Sequence, residues 1–450
     1  MANSASSIAS LRSQLTAQPH SSSFDWLAGP ILCMWMLIFT TFTPTSRDNP
    51  NFSASLDIFS FAKLAARAGS FALLSLQIVL IPDSRRTSRI RLNLVPFVIF
   101  LLWALCTCSW SALLTISVFQ TISLLVLVQL AYVIGCLADD TEKITRCLKH
   151  MTLALFLYSL VLSIPFLINT GAVDRFAFDF AHPTTAGSTA SIGLLTTVGA
   201  AVVWKTRWSL ALILPAAAVH GGIMFAAYNR TALVIAAIAI AVVAILQLER
   251  FLLGVAMLSM ATLYTAWVLF DPAMELVQKV GGNSLQFLMR NQSSSEIADY
   301  SGRGELWAVM WESWQESPII GHGYFVTSST GGLDIWGRVN NYTAHNFFLQ
   351  ALCTTGVVGL SILFLASVPL LATLLKSRLG STAERRVAAF CGSCFVWHLL
   401  WALPNSGFLG PIAPLSVAFF VVVGLLLSGI ECDGSATDES LAIVERSPLR

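Results

Sequence analysis

Runs of about 20 apolar residues recur along the chain from Phe24 almost to the C-terminus. A helix of that length crosses the hydrocarbon layer of a bilayer, and helices and closed barrels are the structures that satisfy their backbone groups there. The 450-residue sequence is 56% hydrophobic and only 11% charged, with a mean hydropathy of +0.73. These values leave no soluble domain of ordinary size, so the sequence predicts an all-α polytopic membrane protein.

Hydropathy predicts about twelve transmembrane helices. The predicted spans are 24–43, 61–82, 93–109, 112–137, 149–168, 186–204, 208–227, 230–248, 251–270, 345–375, 387–403 and 411–429. They divide the chain into an N-terminal tail (1–23), helices 1 to 9 (24–270), a large loop (271–344), helices 10 to 12 (345–429) and a C-terminal tail (430–450). The N-terminal tail lacks the pattern of a cleaved signal peptide, so we expect the first span to remain as an anchor.

Lysine and arginine are distributed unevenly between the short loops. Alternate loops hold basic clusters such as Arg85–Arg91 and Lys143–Lys149, whereas the short loops on the other side hold only Arg47, Arg175 and Arg230. Because basic loops are retained in the cytoplasm during insertion, both termini are predicted to be cytoplasmic. The large loop then lies on the opposite side of the membrane.

Several kinds of site are not indicated. The nine cysteines form no disulfide framework, and the one CxxC pair, Cys391 and Cys394, lies inside a predicted span without a second pair. The sequence also lacks an Asp-x-Asp pair for Mg²⁺, a P-loop and a His-Glu-x-x-His motif. We therefore expect no metal and no cofactor, and we do not expect an ATP-driven pump.

Three functional side chains are predicted at helix starts on the noncytoplasmic side. Arg230 follows Asn229, Arg303 follows Ser301, and His345 follows Thr343. An arginine is mildly unfavourable at the positive end of a helix unless an anion compensates it, so two such arginines indicate a phosphate-like ligand. A diphosphate between two guanidinium groups would accept charge-assisted hydrogen bonds. The alternative for each arginine is that it reaches the lipid headgroups.

A helix start also disfavours the charged form of a histidine, which leaves His345 as a candidate general base. Attack of a sugar hydroxyl on an anomeric carbon that bears a diphosphate requires such a base, and it requires stabilisation of the departing negative charge. His345 and the two arginines could divide these tasks. The alternative is that His345 is a structural hydrogen-bonding residue.

A further helix is predicted inside the large loop, with Ser301 as its N-cap and an end near Glu316, before Pro318. Trp307, Trp311 and Trp314 are spaced to share one face of it. We expect this helix to lie on the membrane surface. The tryptophans then either anchor the helix in the interface or stack on sugar rings.

The motifs resemble those of the O-antigen ligase and polysaccharide polymerase family. The resemblance is carried by five segments: Asn229-Arg230-Thr231-Ala232, Arg303-Gly304-Glu305-Leu306-Trp307, Pro318-Ile319-Ile320-Gly321-His322-Gly323, Ala344-His345-Asn346-Phe347-Phe348-Leu349-Gln350, and Gly356-Val357-Val358-Gly359-Leu360. The matching motifs are dense from about residue 174 to residue 360. The span count and the late periplasmic loop, which contains short helices in a GT-C-like arrangement, are similar over the whole length.

This resemblance implies a metal-independent glycosyltransferase of the bacterial inner membrane. Such enzymes transfer a glycan from an undecaprenyl-diphosphate donor to an acceptor at the periplasmic face, and the acceptor is the lipid A core or another lipid-linked glycan. By resemblance, His345 is the base, and Arg230 and Arg303 bind the diphosphate. Arg175 is a secondary donor-site candidate, with His182 below it because Thr184 replaces the usual asparagine. Trp307, Asn346 and His322 are candidate sugar or acceptor contacts.

Two other function classes stay open from the sequence. A polytopic transporter or flippase of lipid-linked oligosaccharides has a similar number of spans, but its ionisable residues usually lie in mid-membrane, where this chain has few apart from Lys63 and Arg67. An inactive scaffold in a polysaccharide assembly complex would tolerate changes at both arginines. The sequence does not separate a ligase from a polymerase.

Overall fold

The computed structural model describes eleven stretches of the chain, and every structural statement below refers to them. They are residues 25–41, 58–81, 88–168, 183–204, 207–227, 229–248, 303–325, 344–377, 381–405, 407–409 and 412–428. Within these stretches the regular secondary structure is entirely helical.

Twelve α-helices and two short 3-10 helices lie in the described part of the chain. The α-helices are α1 (Ala28–Phe39), α2 (Ile58–Leu80), α3 (Ser88–Thr107), α4 (Leu114–Leu137), α5 (Thr141–Ile168), α6 (Pro183–Trp204), α7 (Arg207–Ala226), α8 (Arg230–Leu248), α9 (Arg303–Glu316), α10 (Phe347–Ser377), α11 (Thr382–Ala402) and α12 (Pro414–Leu427). The 3-10 helices are Cys108–Trp110 and Gly407–Leu409.

A described helix overlaps eleven of the twelve predicted spans, and the remaining one, 251–270, lies outside the described residues. Five helical stretches are long and apolar enough to cross a membrane: Phe61–Leu80, Leu92–Trp110, Leu114–Leu137, Thr141–Ile164 and Phe347–Ser377. Four more apolar helices are shorter, Ala28–Phe39, Ile213–Met224, Thr231–Val243 and Pro414–Leu427. The all-helical membrane character is therefore confirmed, while the total of twelve spans stays a prediction.

Several helices begin earlier than hydropathy predicts, and α5 and α11 show the reason. α5 begins at Thr141 rather than at 149, and α11 begins at Thr382 rather than at 387. The first turns are polar, so a hydropathy window excludes them, but their caps stabilise them as helix. At α5 the Lys143 amide donates to Asp140 Oδ1 (2.8 Å), and at α11 Ser381 and Glu384 form a reciprocal capping box.

Short connections make most neighbouring helices antiparallel. We call the end of the bundle at which α4, α6, α8, α10 and α12 begin the upper end, and the opposite end the lower end. α12 is buried along its whole length and packs closely on α4, where a Cβ on Gly424 would lie 2.7 Å from the Ala131 carbonyl oxygen. The core therefore surrounds α12, and the loop helix α9 lies outside it, against the upper end of α10.

Candidate functional site

The upper part of α10 contains a break that another segment of the chain fills. Gly356 has a non-helical backbone (φ 68°, ψ −173°), and residues 317–325, here called the inserted segment, run alongside it. Four backbone hydrogen bonds cross between the two: His322 N to Cys353 O (2.8 Å), Gly323 N to Thr354 O (3.0 Å), Val357 N to Pro318 O (2.9 Å) and Val358 N to Ile319 O (3.3 Å). Because free backbone groups are costly in a bilayer, this exchange permits the break.

Glycine is required where the two backbones meet. A Cβ on Gly356 would lie 2.6 Å from the Ile320 nitrogen and closer still to the Ile319 carbonyl group. A Cβ on Gly321, whose φ is 67°, would lie 2.5 Å from the Thr354 carbonyl carbon. Both positions combine a left-handed φ with a close backbone approach. The glycines of the two motifs therefore have a backbone role.

The corner between α3 and α4 holds the inserted segment from the other side. Trp103 Nε1 donates to Thr355 O (2.9 Å), and Trp110 Nε1 donates to Gly321 O (3.1 Å). The Tyr324 amide donates to Thr107 Oγ1 (2.9 Å). Burial raises the pKa of the Tyr324 phenol. The inserted segment is thus fixed between α3 and α10.

His345 lies in the turn directly above α10. The helix begins at Phe347, and Asn346 is its N-cap, since Asn346 Oδ1 accepts from the Leu349 amide (3.0 Å). His345 therefore precedes the cap instead of starting the helix as the sequence predicts. Its backbone is left-handed (φ 46°), an uncommon conformation for a residue with a side chain, and its side chain is half-buried. Ala344 N donates to Gln350 Oε1 (3.0 Å), which ties the turn to α10.

α9 docks on the turn that carries His345. Trp307 Nε1 donates to Ala344 O (2.8 Å), and Leu306 and Met310 are buried in a small cluster with Ala344 and Cys353. Arg303, the first residue of α9, precedes Trp307 by one helical turn, about 6 Å along the axis. The backbone at Arg303 and the turn at His345 are therefore held close together.

Two further side chains fasten α9 to the inserted segment. His322 Nε2 lies 2.7 Å from Ser313 O and 3.2 Å from Ser313 Oγ, and Trp314 Nε1 donates to Pro318 O (3.2 Å). The three tryptophans of α9 thus differ in environment, because Trp307 and Trp314 bond internally while Trp311 is 47% exposed. The choice between membrane anchoring and stacking on sugar rings stays a prediction for this helix.

The start of α8 lies at the same end of the bundle. Asn229 caps this helix, with Oδ1 accepting from Ala232 N (3.1 Å) and Nδ2 donating to Thr184 O (3.3 Å) at the start of α6. Trp397 of α11 donates to Ser191 Oγ, which donates to Ala232 O (2.8 Å in each case). Arg230 is the first residue of α8. The backbones at Arg230, Arg303 and His345 therefore all lie at the upper end.

Residues 215–364 match the O-antigen ligase family. The resemblance predicted from the motifs is confirmed over this third of the chain, which contains Arg230, Arg303 and His345. No curated protein matches the chain. The family match supports, in general terms, a membrane glycosyltransferase of the ligase or polymerase type that acts on lipid-linked glycans.

Part of the matched region, including residues 249–302 and 326–343, lies outside the described residues. Arg175 and His182, both upstream of it, also lie outside them, as do Ser301 and Thr343. Two histidines inside helices, His220 and His398, are buried. Among the residues that the structure describes, no group of three or more His, Cys, Asp or Glu side chains could hold a metal ion.

An apolar cavity of about 80 Å³ lies immediately below the turn of His345. Phe347 and Phe348 line its upper part, and side chains of α3, α10, α11 and α12 line the rest, among them Phe97, Phe364, Phe395 and Phe419. The hydropathy pattern and the motifs alone do not indicate this cavity. The signal that could have indicated it is the aromatic pair that follows His345 and Asn346, together with Phe364 on the same helix.

Proposed function

We propose that this protein is a periplasmic-face glycosyltransferase of the bacterial inner membrane. It transfers a glycan from an undecaprenyl-diphosphate donor to a hydroxyl of an acceptor sugar, which belongs to the lipid A core or to another lipid-linked glycan. His345 is the general base, and Arg230, Arg303 and Arg175 bind the diphosphate. The match to the O-antigen ligase family and the helical membrane architecture support this proposal.

One observation carries the assignment of roles. Trp307 Nε1 donates to Ala344 O (2.8 Å), which fastens the first turn of α9 to the turn before α10. The backbone at the start of α9 and the turn that carries His345 therefore lie close together. A reaction that needs a base and an anion site within one substrate length requires this proximity.

In the proposed reaction, His345 removes the proton of the acceptor hydroxyl as its oxygen attacks the anomeric carbon. The bond between that carbon and the diphosphate oxygen breaks, and the arginines stabilise the negative charge that develops on the diphosphate. The products are a glycosidic bond, a free undecaprenyl diphosphate and a protonated His345. Direct displacement inverts the anomeric configuration, so NMR of the product should give the anomer opposite to that of the donor.

The three candidate sugar contacts differ in their surroundings. Trp307, Asn346 and His322 each make a hydrogen bond within the protein that fixes α9, α10 or the inserted segment. We propose that Asn346 and His322 act mainly by positioning His345 and α9. The exposed Trp311 is the tryptophan of α9 with most surface available to a sugar ring.

The test measures glycan transfer by the purified protein in detergent. Detergent micelles have no two compartments, so a transporter gives no signal in this assay. His345→Ala should abolish transfer of the lipid-linked glycan without changing protein abundance. The matched control is His150→Ala, a change of a half-buried histidine in the lower half of α5, which should retain activity. Full activity of His345→Ala would remove this residue from the mechanism. Absence of transfer by wild-type protein with defined donor and acceptor would favour a transporter.

A further inference from the structure

α2 carries two basic residues, Lys63 and Arg67, inside an apolar stretch. Both belong to the candidate membrane span Phe61–Leu80, and Arg67 lies six residues after Phe61, about 9 Å along the helix axis. A charged side chain at this depth is costly in hydrocarbon, and such residues commonly mark binding sites or ion paths. The proposed transfer reaction makes no use of either residue.

The contacts of α2 with α1 locate this pair. Gln77 Nε2 of α2 donates to Trp26 O, just before α1 (2.9 Å). Ser70, seven residues before Gln77, lies beside Cys33, which is seven residues after Trp26. The two helices are therefore antiparallel. Continuing the same spacing along the seam puts Arg67 level with Met36 and Lys63 level with Thr40, the residue that ends α1.

Arg67 lies at the border between this seam and the lipid. Ser70 and Leu74, one and two turns further along, are fully buried, whereas Leu64 and Phe71, one turn to either side, are 47% and 38% exposed. Arg67 itself is half-buried. It therefore lies between the buried face and the exposed face of α2.

No protein anion neutralises Arg67 within the described stretches of the chain. Lys143 and Arg146 form ion pairs at the lower end, and Arg67 makes no hydrogen bond or ion pair to another described residue. Two carbonyl groups in the last turn of α1, which could accept hydrogen bonds from Arg67, already accept from other side chains. Thr40 Oγ1 donates to Met36 O (2.8 Å), and Thr41 Oγ1 donates to Ile38 O (2.7 Å).

The two cations lie at the upper end of the bundle, with the candidate active site. α1 is parallel to α5, since Arg146 pairs with Asp25 (2.7 Å) at their starts and Thr41 Oγ1 donates to Tyr158 OH (3.2 Å) near their ends. α5 follows α4 after three residues and so ends at the upper end, as does α1. Because α2 is antiparallel to α1, its first half also lies there.

We propose that Lys63 and Arg67 bind the phosphate group of an anionic lipid in the leaflet at the upper end. A guanidinium group can donate two parallel hydrogen bonds to a phosphate, and the ammonium group one turn above it adds a second positive charge. The lipid chains then lie on Leu64 and Phe71. This site is separate from the proposed transfer chemistry and does not depend on it.

Native mass spectrometry of the full-length protein provides the test. The protein is taken from nanodiscs that contain equal amounts of phosphatidylglycerol and phosphatidylcholine, and wild type should retain one phosphatidylglycerol selectively. Arg67→Gln should weaken retention about tenfold, which corresponds to about 1.4 kcal/mol. Arg67→Lys should keep most of it. The control is Arg385→Gln, which changes an exposed arginine at the lower end and should retain the lipid as wild type does.

Three results would overturn the proposal. One is wild-type protein that retains no phosphatidylglycerol in preference to phosphatidylcholine, a measurement that does not depend on the folding of any variant. A second is Arg67→Gln that retains the lipid as well as Arg385→Gln does. Displacement of the lipid by inorganic phosphate alone at equal concentration would also reject a lipid ligand in favour of a free anion.

Discussion

Replacement of Gly356 by alanine tests whether the inserted segment holds the break in α10. The new Cβ would overlap the Ile319 carbonyl group and approach the Ile320 nitrogen at 2.6 Å, so the inserted segment must move away. That movement breaks the bonds from Val357 N to Pro318 O and from Val358 N to Ile319 O. The backbone conformation at Gly356, with φ 68° and ψ −173°, is itself essentially restricted to glycine.

The expected cost follows from these terms. A strained backbone costs about 1–3 kcal/mol, and two lost hydrogen bonds cost about 1 kcal/mol each, which gives roughly 3–5 kcal/mol in total. A loss of that size should lower the Tm of the purified protein by roughly 3–5 °C, because the entropy of unfolding grows with chain length. Tryptophan fluorescence during heating in detergent measures this change, since Trp103 and Trp110 bond to the two strained segments.

Gly222→Ala is the matched control. Gly222 lies in the helix α7, and a Cβ there would meet nothing within 4 Å. Alanine is favoured over glycine inside a helix by about 1 kcal/mol, so this variant should be as stable as wild type or slightly more stable. If Gly356→Ala melts at the same temperature as Gly222→Ala, the backbone exchange does not stabilise the site as argued.

Two further predictions concern helix caps. Asn346→Ala removes the cap of α10 beside His345, so it should cost about 1 kcal/mol of stability and lower kcat for glycan transfer more than it changes KM. Asn346→Ser, which keeps a capping side chain, should restore both the stability and kcat. Equal kcat for wild type and the two variants would contradict the positioning role. Asp140→Ala should cost about 1 kcal/mol at pH 7. Partial burial raises the pKa of Asp140, but hydrogen bonds and charge from Lys143 outweigh it and leave the pKa below its ordinary value. The stabilisation is therefore present above the unfolded pKa and is lost as pH falls through the folded one, so melting curves of wild type and Asp140→Ala should converge below about pH 4.

Hydropathy and helix-ending residues such as proline predict much of the helical architecture. Runs of apolar residues gave the approximate positions of the described helices, and Pro318 correctly indicated an α9 that ends at Glu316. The early starts of α5 and α11 were missed because capping side chains, not hydrophobic ones, stabilise those turns. Local sequence signals therefore predict where the helices lie, but their polar first turns become apparent only from the hydrogen bonds in the structure.

The candidate site was predictable as a set of residues but not as an arrangement. Gly321 and Gly356 are 35 residues apart, and nothing local indicates that their backbones touch. His322 illustrates the same limit, because a histidine between two glycines suggests an exposed ligand contact, yet its ring lies against Ser313 of α9. The roles of these residues depend on non-local contacts that sequence spacing does not encode.

The break in α10 explains why residues without reactive groups accompany His345 in these motifs. A bilayer tolerates a broken helix only when the freed backbone groups are bonded, so the glycines of the inserted segment and of the break must fit each other. That fit determines where the inserted segment runs, and His322 and Trp314 then determine where α9 lies. Trp307 of α9 in turn contacts the turn of His345. The spacing between the backbones at Arg303 and His345 therefore depends on this fit, so we expect a change at Gly356 to lower the rate of the proposed transfer reaction.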